Sequence, residues 1–238
     1  MKRALVTGGA SPIGAAICRA LAAQGLHVVI HAHASTERAE ALAAALRTEG
    51  GGAEAVAFDI TDHAASAAAV EALCEAGPIQ VLVHNAGAHD DVPMAGMSEA
   101  QWRRAIAVSL DGFFHVAQPL LLPMMATRWG RIVAMSSLSG VIGNRGQANY
   151  AAAKAGLIGA VKSLSQEVAA RGITVNAIAP GIIESPATAA ITADRIRALV
   201  PARRAGRPEE VADLVAFLCS DRAAYIAGQC ISINGGVA

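Results

Sequence analysis

The sequence predicts a doubly wound α/β fold, and three observations predict it. Short apolar runs alternate with longer helical stretches along the whole chain. The short runs lack polar alternation, which is the pattern of parallel strands covered on both faces. The first of them leads directly into a glycine-rich turn and a helix. Right-handed crossovers between such strands give a Rossmann sheet, whose ligands bind outside the carboxyl ends of the strands. At 238 residues the expectation is a single domain, 1–238, with seven parallel strands and neither linker nor internal repeat.

Each element has a local reason. Arg3–Thr7 reads as a buried strand and Ile13–Gln24 as the helix after the glycine turn. His27–His31 is the second strand, Thr36–Glu49 the second helix and Val56–Asp59 the third strand. Asp62 supplies a side-chain cap for a helix to about Glu75. Ile79–Asn85 is the fourth strand. Ser98-Glu99-Ala100-Gln101 is a capping box that starts a long helix, bent at Pro119. Arg131–Ser136 is the fifth strand, Gln147–Arg171 a helix and Thr174–Ala179 the sixth strand. Ile182 to Arg207 is expected to be a mobile lid over substrate. Pro208 is tolerated in the first turn of a helix to Ser220, and Cys230–Asn234 is the last strand.

Composition narrows the function. Apolar residues make up 54% of the chain, and its formal net charge is zero, so neither nucleic acid nor a membrane surface is an expected partner. The apolar stretch after Met1-Lys2-Arg3 ends at Thr7-Gly8-Gly9, too early for a secretory leader. No run is expected to reach a membrane span, because charges and glycines break the alanine-rich segments. Cys18, Cys74, Cys219 and Cys230 show no CxxC spacing and read as free thiols of a reducing, cytoplasmic compartment. The histidines form no ligand-spaced cluster, so no metal site is expected.

The chemistry centres on Tyr150-Ala151-Ala152-Ala153-Lys154. In a helix this spacing stacks a phenol and an ammonium on one face, about one turn apart. A neighbouring cation favours the phenolate, which makes an otherwise inert phenol a usable acid or base. On spacing alone the pair would be an ordinary surface contact. Its weight comes from Ser137, which follows an apolar strand upstream, and from the opening loop Thr7-Gly8-Gly9-Ala10-Ser11-Pro12-Ile13-Gly14. Glycines in such a loop let the backbone approach a pyrophosphate resting on the helix N-terminus.

The set Thr7-Gly8…Gly14, Asn85-Ala86-Gly87, Ser137, Tyr150…Lys154 and Pro180-Gly181 resembles the short-chain dehydrogenase/reductase family over the whole chain. Within it, 143–156, Arg171–Asn176 and the ending Ile233-Asn234-Gly235-Gly236 look like 3-oxoacyl-[acyl-carrier-protein] reductases. His84-Asn85-Ala86-Gly87 and Ile231–Gly236 are similar to ketoreductases of aryl-polyene pathways. The resemblance implies that Tyr150 donates a proton to a carbonyl oxygen, that Ser137 hydrogen-bonds the same oxygen, and that Lys154 lowers the tyrosine pKa and binds the nicotinamide ribose. It implies cofactor contacts from Gly8, Ser11, Ile13, Gly14, Asp59, Ile60, Asn85, Ala86, Gly87, Pro180, Gly181 and the backbone of Ile183.

Two positions depart from the family pattern. Pro12 stands where the loop usually has glycine, and Ser109 matches a catalytic asparagine that supports a water behind the lysine; a slowed relay is expected. The run His31-Ala32-His33-Ala34-Ser35-Thr36 carries no acid before Glu37, so NADPH is the expected cofactor, with His33, Ser35 and Thr36 near its 2′-phosphate and no arginine in the usual place. Arg128 and Arg171 match basic residues that present to an acidic acyl carrier protein. Ile182, Ile183, Ile191 and Met97 are expected to line the acyl pocket. The resemblance also implies a homotetramer, with pairing to a homologous subunit left open. The leading reading is reduction of a 3-oxoacyl thioester on the carrier protein. The alternatives are a dehydrogenase of another secondary alcohol, such as a sugar or steroid, and a catalytically weak partner subunit.

Overall fold

Ala4, Leu5 and Val6 are wholly removed from water in the computed structural model, which describes residues 1–238. They form the middle of β1 (Arg3–Thr7), the strand on which the sheet is assembled. The other strands are β2 (His27–Ala32), β3 (Ala53–Ala57), β4 (Ile79–His84), β5 (Gly130–Met135), β6 (Ile173–Pro180) and β7 (Cys230–Ile233). Their order is β3-β2-β1-β4-β5-β6-β7, and every pairing is parallel. The order reverses direction between β1 and β4, and a crevice opens beyond the carboxyl ends of such a pair.

The helices are α1 (Pro12–Ala23), α2 (Thr36–Thr48), α3 (His63–Glu75), α4 (Glu99–Ile106), α5 (Gly112–Thr127), α6 (Leu138–Ile142), α7 (Ala148–Val168), α8 (Ala193–Leu199) and α9 (Pro208–Leu218). One apolar layer joins α1, α2 and α9 to the sheet through Ile17, Leu21, Leu42, Leu46, Val211 and Val215. The opposite layer joins α3, α5 and α7 through Val70, Val116, Leu120, Leu157 and Val161. Full burial of each such aliphatic side chain contributes roughly 1.5–3 kcal/mol.

Pro12 sits in the first turn of α1, where no helical N–H is required. Ser11 caps that turn by accepting from the Gly14 N–H at 3.1 Å. The Asp62 cap and the Ser98–Gln101 capping box form as the sequence predicts.

Several boundaries move. The third strand is Ala53–Ala57, three residues earlier than expected, because its partners on β2 begin with Val28↔Ala53. Asp59 therefore lies beyond the strand, in the turn before α3. The long helix departs from regularity not at Pro119 but at Ala107–Asp111, a wide π-type turn between α4 and α5. Helix α5 continues through both Pro119 and Pro123. The segment 182–207, expected to be mobile and without firm helix, contains α8, which Thr192 caps through the Arg195 N–H at 3.3 Å. Thr188 also ties its turn down, donating to the Ile183 carbonyl at 2.7 Å.

The expectation that no run reaches membrane length is corrected once. The unbroken helical stretch Glu99–Thr127, 29 residues, is long and apolar enough by length and composition. Its apolarity is shared between a face laid on the sheet, with Phe113, Leu120 and Met124 buried, and an outer face that exposes Phe114 and Leu122. The expectation rested on charges and glycines breaking the alanine-rich segments; in this helix Glu99, Arg103 and Arg104 cluster at the start, and Gly112–Thr127 carries no Asp, Glu, Lys or Arg.

Candidate active site

The carboxyl ends of β1, β4, β5 and β6 carry Thr7, His84, Met135 and Pro180, and the predicted site residues gather there. The glycine loop after β1 is held in place by β4. The Asn85 side-chain amide donates to the Thr7 and Gly8 carbonyls at 3.2 and 2.9 Å and to Ser11 Oγ at 3.1 Å. Thr7 Oγ1 accepts from the Asn85 and Ala86 N–H groups, both at 3.0 Å. Gly8 has φ +61°, a left-handed conformation that glycine adopts freely. A Cβ on Gly14 would overlap the Gly8 carbonyl, and one on Gly87 would stand 3.1 Å from Lys154 Nζ. The backbone is thus kept bare where a pyrophosphate and a ribose would approach, and the residues present fit a dinucleotide.

Two histidines that sequence reasoning had given no role complete this scaffold. His31, at the end of β2, accepts from the Gly8 N–H through Nδ1 at 3.2 Å and donates from Nε2 to the Phe58 carbonyl at 3.0 Å. Burial holds its pKa below the usual imidazole value, so the neutral tautomer these bonds require is the one present. His84 is wholly buried, and burial, reinforced by the Lys154 charge, pushes its pKa down to about 3. Its Nε2–H donates to the Ser109 carbonyl at 2.9 Å, and Nδ1 takes the Thr7 hydroxyl at 3.3 Å. That bond engages a carbonyl of the π-type turn, a feature that recurs at functional sites. The sequence signals were a strand-end position for His31 and, for His84, its place at the head of the motif His84-Asn85-Ala86-Gly87.

The reacting groups lie on β5, α6 and α7. Ser137 stands two residues past the end of β5 and caps α6, and its hydroxyl faces the Tyr150 phenol. Lys154, one turn along α7, is 2% exposed. Its ammonium donates to the Met135 carbonyl at 2.7 Å and stands 5.6 Å from the centre of the Tyr150 ring. Ser136 Oγ donates to the Lys154 carbonyl at 2.8 Å, tying α7 to β5 a second time.

This geometry corrects the expectation that Lys154 depresses the phenol pKa. Burial raises the Tyr150 pKa above its ordinary value, the nearby Asp91 carboxylate raises it further, and only the Ser137 hydrogen bond opposes them. The lysine is aimed at a carbonyl, and burial lowers its own pKa to about 8. Ser109 is fully buried, and its Oγ, which has no protein partner, lies 3.5 Å from where a Gly87 Cβ would stand, on the same small space that Lys154 faces.

Around Ser137 and Tyr150 opens a cavity of about 520 Å³. Its lining combines polar residues, among them His89, Asp91, Asn144 and Gln147, with aliphatic ones, among them Ile142, Ile182, Ile191 and Leu199. Gln147 anchors the polar wall by donating to Asp91 at 2.6 Å and accepting from Ser139 at 2.7 Å. Of the expected acyl-pocket residues, Ile182 and Ile191 line the cavity. Met97 lies outside it, before α4, and Ile183 is buried in the core, with its carbonyl bonded to Thr188.

The remaining predicted residues divide. Asp59 Oδ1 accepts from the N–H and hydroxyl of Thr61 at 2.9 and 2.8 Å, which lowers its pKa. Ile60 is buried, and its carbonyl accepts from His115 Nδ1 at 2.9 Å. Ile13 packs against the α1 core layer. His33 is exposed at the end of β2, close enough to Asp59 to lower its pKa. Ser35 accepts from the Arg38 guanidinium, so a cation does stand beside the end of β2, contrary to the expectation of no arginine there. It was missed because Arg38 lies on α2 and reaches back one turn. Arg128 and Arg171 come together, but at the amino ends of β5 and β6. At ~3.3 Å per residue, β5 alone puts about 20 Å between that edge and Ser137.

A family model described as enoyl-(acyl carrier protein) reductase matches residues 8–238. The chain is 44% identical over 240 residues to the 3-oxoacyl-[acyl-carrier-protein] reductase FabG of Escherichia coli, covering 99% of this chain and 97% of that protein. It is 43% identical to the protein of the same name from Aggregatibacter actinomycetemcomitans, covering 98% of each. The Staphylococcus aureus counterpart is 40% identical, with 99% of this chain and 98% of that protein covered.

Proposed function

The chain belongs to the short-chain dehydrogenase/reductase family, and on that premise we propose that it reduces a 3-oxoacyl thioester carried on acyl carrier protein to the 3-hydroxyacyl form, with NADPH as reductant. The observation that carries this reading is the placing of Ser137 and Tyr150 together on one cavity at the carboxyl end of the sheet, with Lys154 buried one helical turn behind the phenol and a lining that combines polar and aliphatic residues. Full-length likeness to three proteins named as 3-oxoacyl-[acyl-carrier-protein] reductases supports the substrate class.

When bound, NADPH would supply hydride to the ketone carbon. Tyr150 gives its phenolic proton to the ketone oxygen, and Ser137 donates a hydrogen bond to that oxygen as charge gathers there. The Lys154 ammonium, one turn along the helix, donates to the Met135 carbonyl and faces the space beside Gly87, where it would meet the nicotinamide ribose. Gly8, Ser11, Gly14, Asn85, Ala86 and Gly87 would hold the pyrophosphate and adenosine side, Asp59 and Ile60 would flank the adenine, and Pro180, Gly181 and the Ile183 backbone would hold the carboxamide. His33, Ser35 and the Arg38 cation that Ser35 engages favour a 2′-phosphate over a free hydroxyl.

The segment 182–207 acts as the lid, closing through α8 and the turn at Ser185–Thr188. The chain assembles as a homotetramer: the groove between α5 and α7, lined by Leu110, Phe114, Leu121 and Leu164, is the apolar surface available for packing long helices of neighbouring subunits.

The test is NADPH oxidation with a short 3-oxoacyl thioester, wild type beside Tyr150→Phe, with NADH run in parallel. The variant is expected to lose about 10²-fold or more in kcat while still binding NADPH. Turnover by Tyr150→Phe at the wild-type rate would refute the assignment of the acid, and equal rates with NADH and NADPH at low concentration would refute the cofactor preference.

A further inference from the structure

The His84 imidazole, at the end of β4, joins β1 to the turn between α4 and α5. The Thr7 hydroxyl has one proton and two lone pairs to share. Its lone pairs are taken by the Asn85 and Ala86 N–H groups, both at 3.0 Å, so its proton goes to His84 Nδ1 at 3.3 Å. The ring's own proton therefore sits on Nε2, which donates to the Ser109 carbonyl at 2.9 Å. Phe113 packs edge-on against the imidazole, with ring centroids 5.6 Å apart. The histidine is thus buried, neutral and committed at both nitrogens.

The carbonyl it holds belongs to the π-type turn Ala107–Asp111, in which the Gly112 N–H bonds back to the Ala107 carbonyl. Such turns are rare and concentrate at functional sites. Ser109 is the middle residue of this one. Its hydroxyl is buried without a protein partner, although buried polar atoms are nearly always paired. A Cβ on Gly87 would lie 3.5 Å from that hydroxyl and 3.1 Å from Lys154 Nζ, so the two groups border one space. The bond from His84 is what fastens this turn to the end of β4, beside the phosphate loop.

We propose that His84 is a positioning residue for the reduction: its Nε2–H holds the π-type turn so that the Ser109 hydroxyl stays beside Lys154. The proposal rests on the reductase reading given above and adds a residue to that same site. Without the donor, the Ser109 carbonyl loses its anchor, and the turn is free to rewind towards the tighter α register. Rewinding rotates Ser109 about the helix axis and takes its hydroxyl away from the lysine. The bond to Thr7 has a different task, which is to fix the tautomer that makes Nε2 the donor.

The experiment separates the two nitrogens. A glutamine amide supplies a donor at the reach of Nε2 but no acceptor for Thr7. An asparagine amide reaches only as far as Nδ1, so it can serve Thr7 and not Ser109. Steady-state kinetics of the full chain with NADPH and a short 3-oxoacyl thioester are measured for His84→Asn, His84→Gln, Ser109→Ala and the double variant His84→Asn/Ser109→Ala, with urea denaturation of each. His84→Asn and Ser109→Ala should each lower kcat about tenfold or more at unchanged KM, because a misplaced group acts on the chemical step. His84→Gln should recover most of that loss, although either histidine variant leaves one buried bond unmade and should unfold at lower urea than wild type. In the Ser109→Ala background, His84→Asn should cost less than about threefold, since groups that act through one another are not additive. Equal losses of kcat from the asparagine and glutamine variants overturn the proposal. So does a loss confined to KM, or the same loss with and without the Ser109 hydroxyl. Wild-type kcat in Ser109→Ala overturns it independently, and that variant removes only an unpaired hydroxyl, so folding is not at risk. A wild-type protein that does not turn over the thioester refutes the reductase reading itself, an outcome distinct from any produced by the variants.

Discussion

Replacing Lys154 by methionine keeps the length of the side chain and removes its charge, and the consequence for stability can be worked from the site. Burial takes the lysine pKa from 10.5 to about 8. Each tenfold change in proton affinity corresponds to ~1.4 kcal/mol, so holding the ammonium inside costs the fold about 3 kcal/mol at pH 7. Methionine removes that cost but leaves the Met135 carbonyl without its donor, a penalty of roughly 1–3 kcal/mol. The variant should therefore be as stable as wild type at pH 7, or more stable by up to about 2 kcal/mol. The pH dependence is the sharper reading. Between about 8 and 10.5 the unfolded lysine keeps a proton that the folded one has released. Unfolding then takes up a proton, so wild-type stability rises with pH through that window, by about 3 kcal/mol in all. The variant lacks this rise and should become the less stable protein by pH 10. Urea denaturation of both proteins at pH 7 and 10, at one protein concentration, measures the difference. A difference that does not move with pH would refute the claim that Lys154 is held against its desolvation cost.

Two further outcomes are expected. Gly14→Ala places a methyl group against the Gly8 carbonyl and 3.0 Å from Asn85 Nδ2; it should weaken NADPH binding about tenfold or more, read by fluorescence titration, since the loop must shift to admit it. Ser109→Asn puts a longer donor and acceptor into the space faced by Lys154; kcat should rise severalfold, and an unchanged kcat in steady-state assays would show that this position does not limit the rate.

Much of this architecture was legible because parallel strands bury both faces and announce themselves as unbroken apolar runs, as in Leu5-Val6 and Ile132-Val133. The strand at the sheet edge was placed too late because Ala53-Glu54-Ala55 is neither apolar nor β-branched; its position is set by pairing with β2, a tertiary fact. Ser137, Tyr150 and Lys154 were readable from spacing and from the strand before them. The direction of the Tyr150 pKa was not, since it depends on where the ammonium points and on how much water reaches the phenol. The roles of His31, His84 and Arg38 were not legible for a related reason: each acts through a partner more than one element away or one turn back, and no local pattern records which strand ends meet. The two-turn helix α8 is too short for its periodicity to be distinguished from a loop.

The double tie between β5 and α7, hydroxyl to carbonyl and ammonium to carbonyl, has a kinetic consequence. The half of the cavity that holds the acid behaves as a fixed jig, with no slack for a substrate to push against. Admission and departure of the acyl chain must then be accommodated by the opposite wall, and solvent viscosity should slow the release of product while leaving the bond-making step untouched.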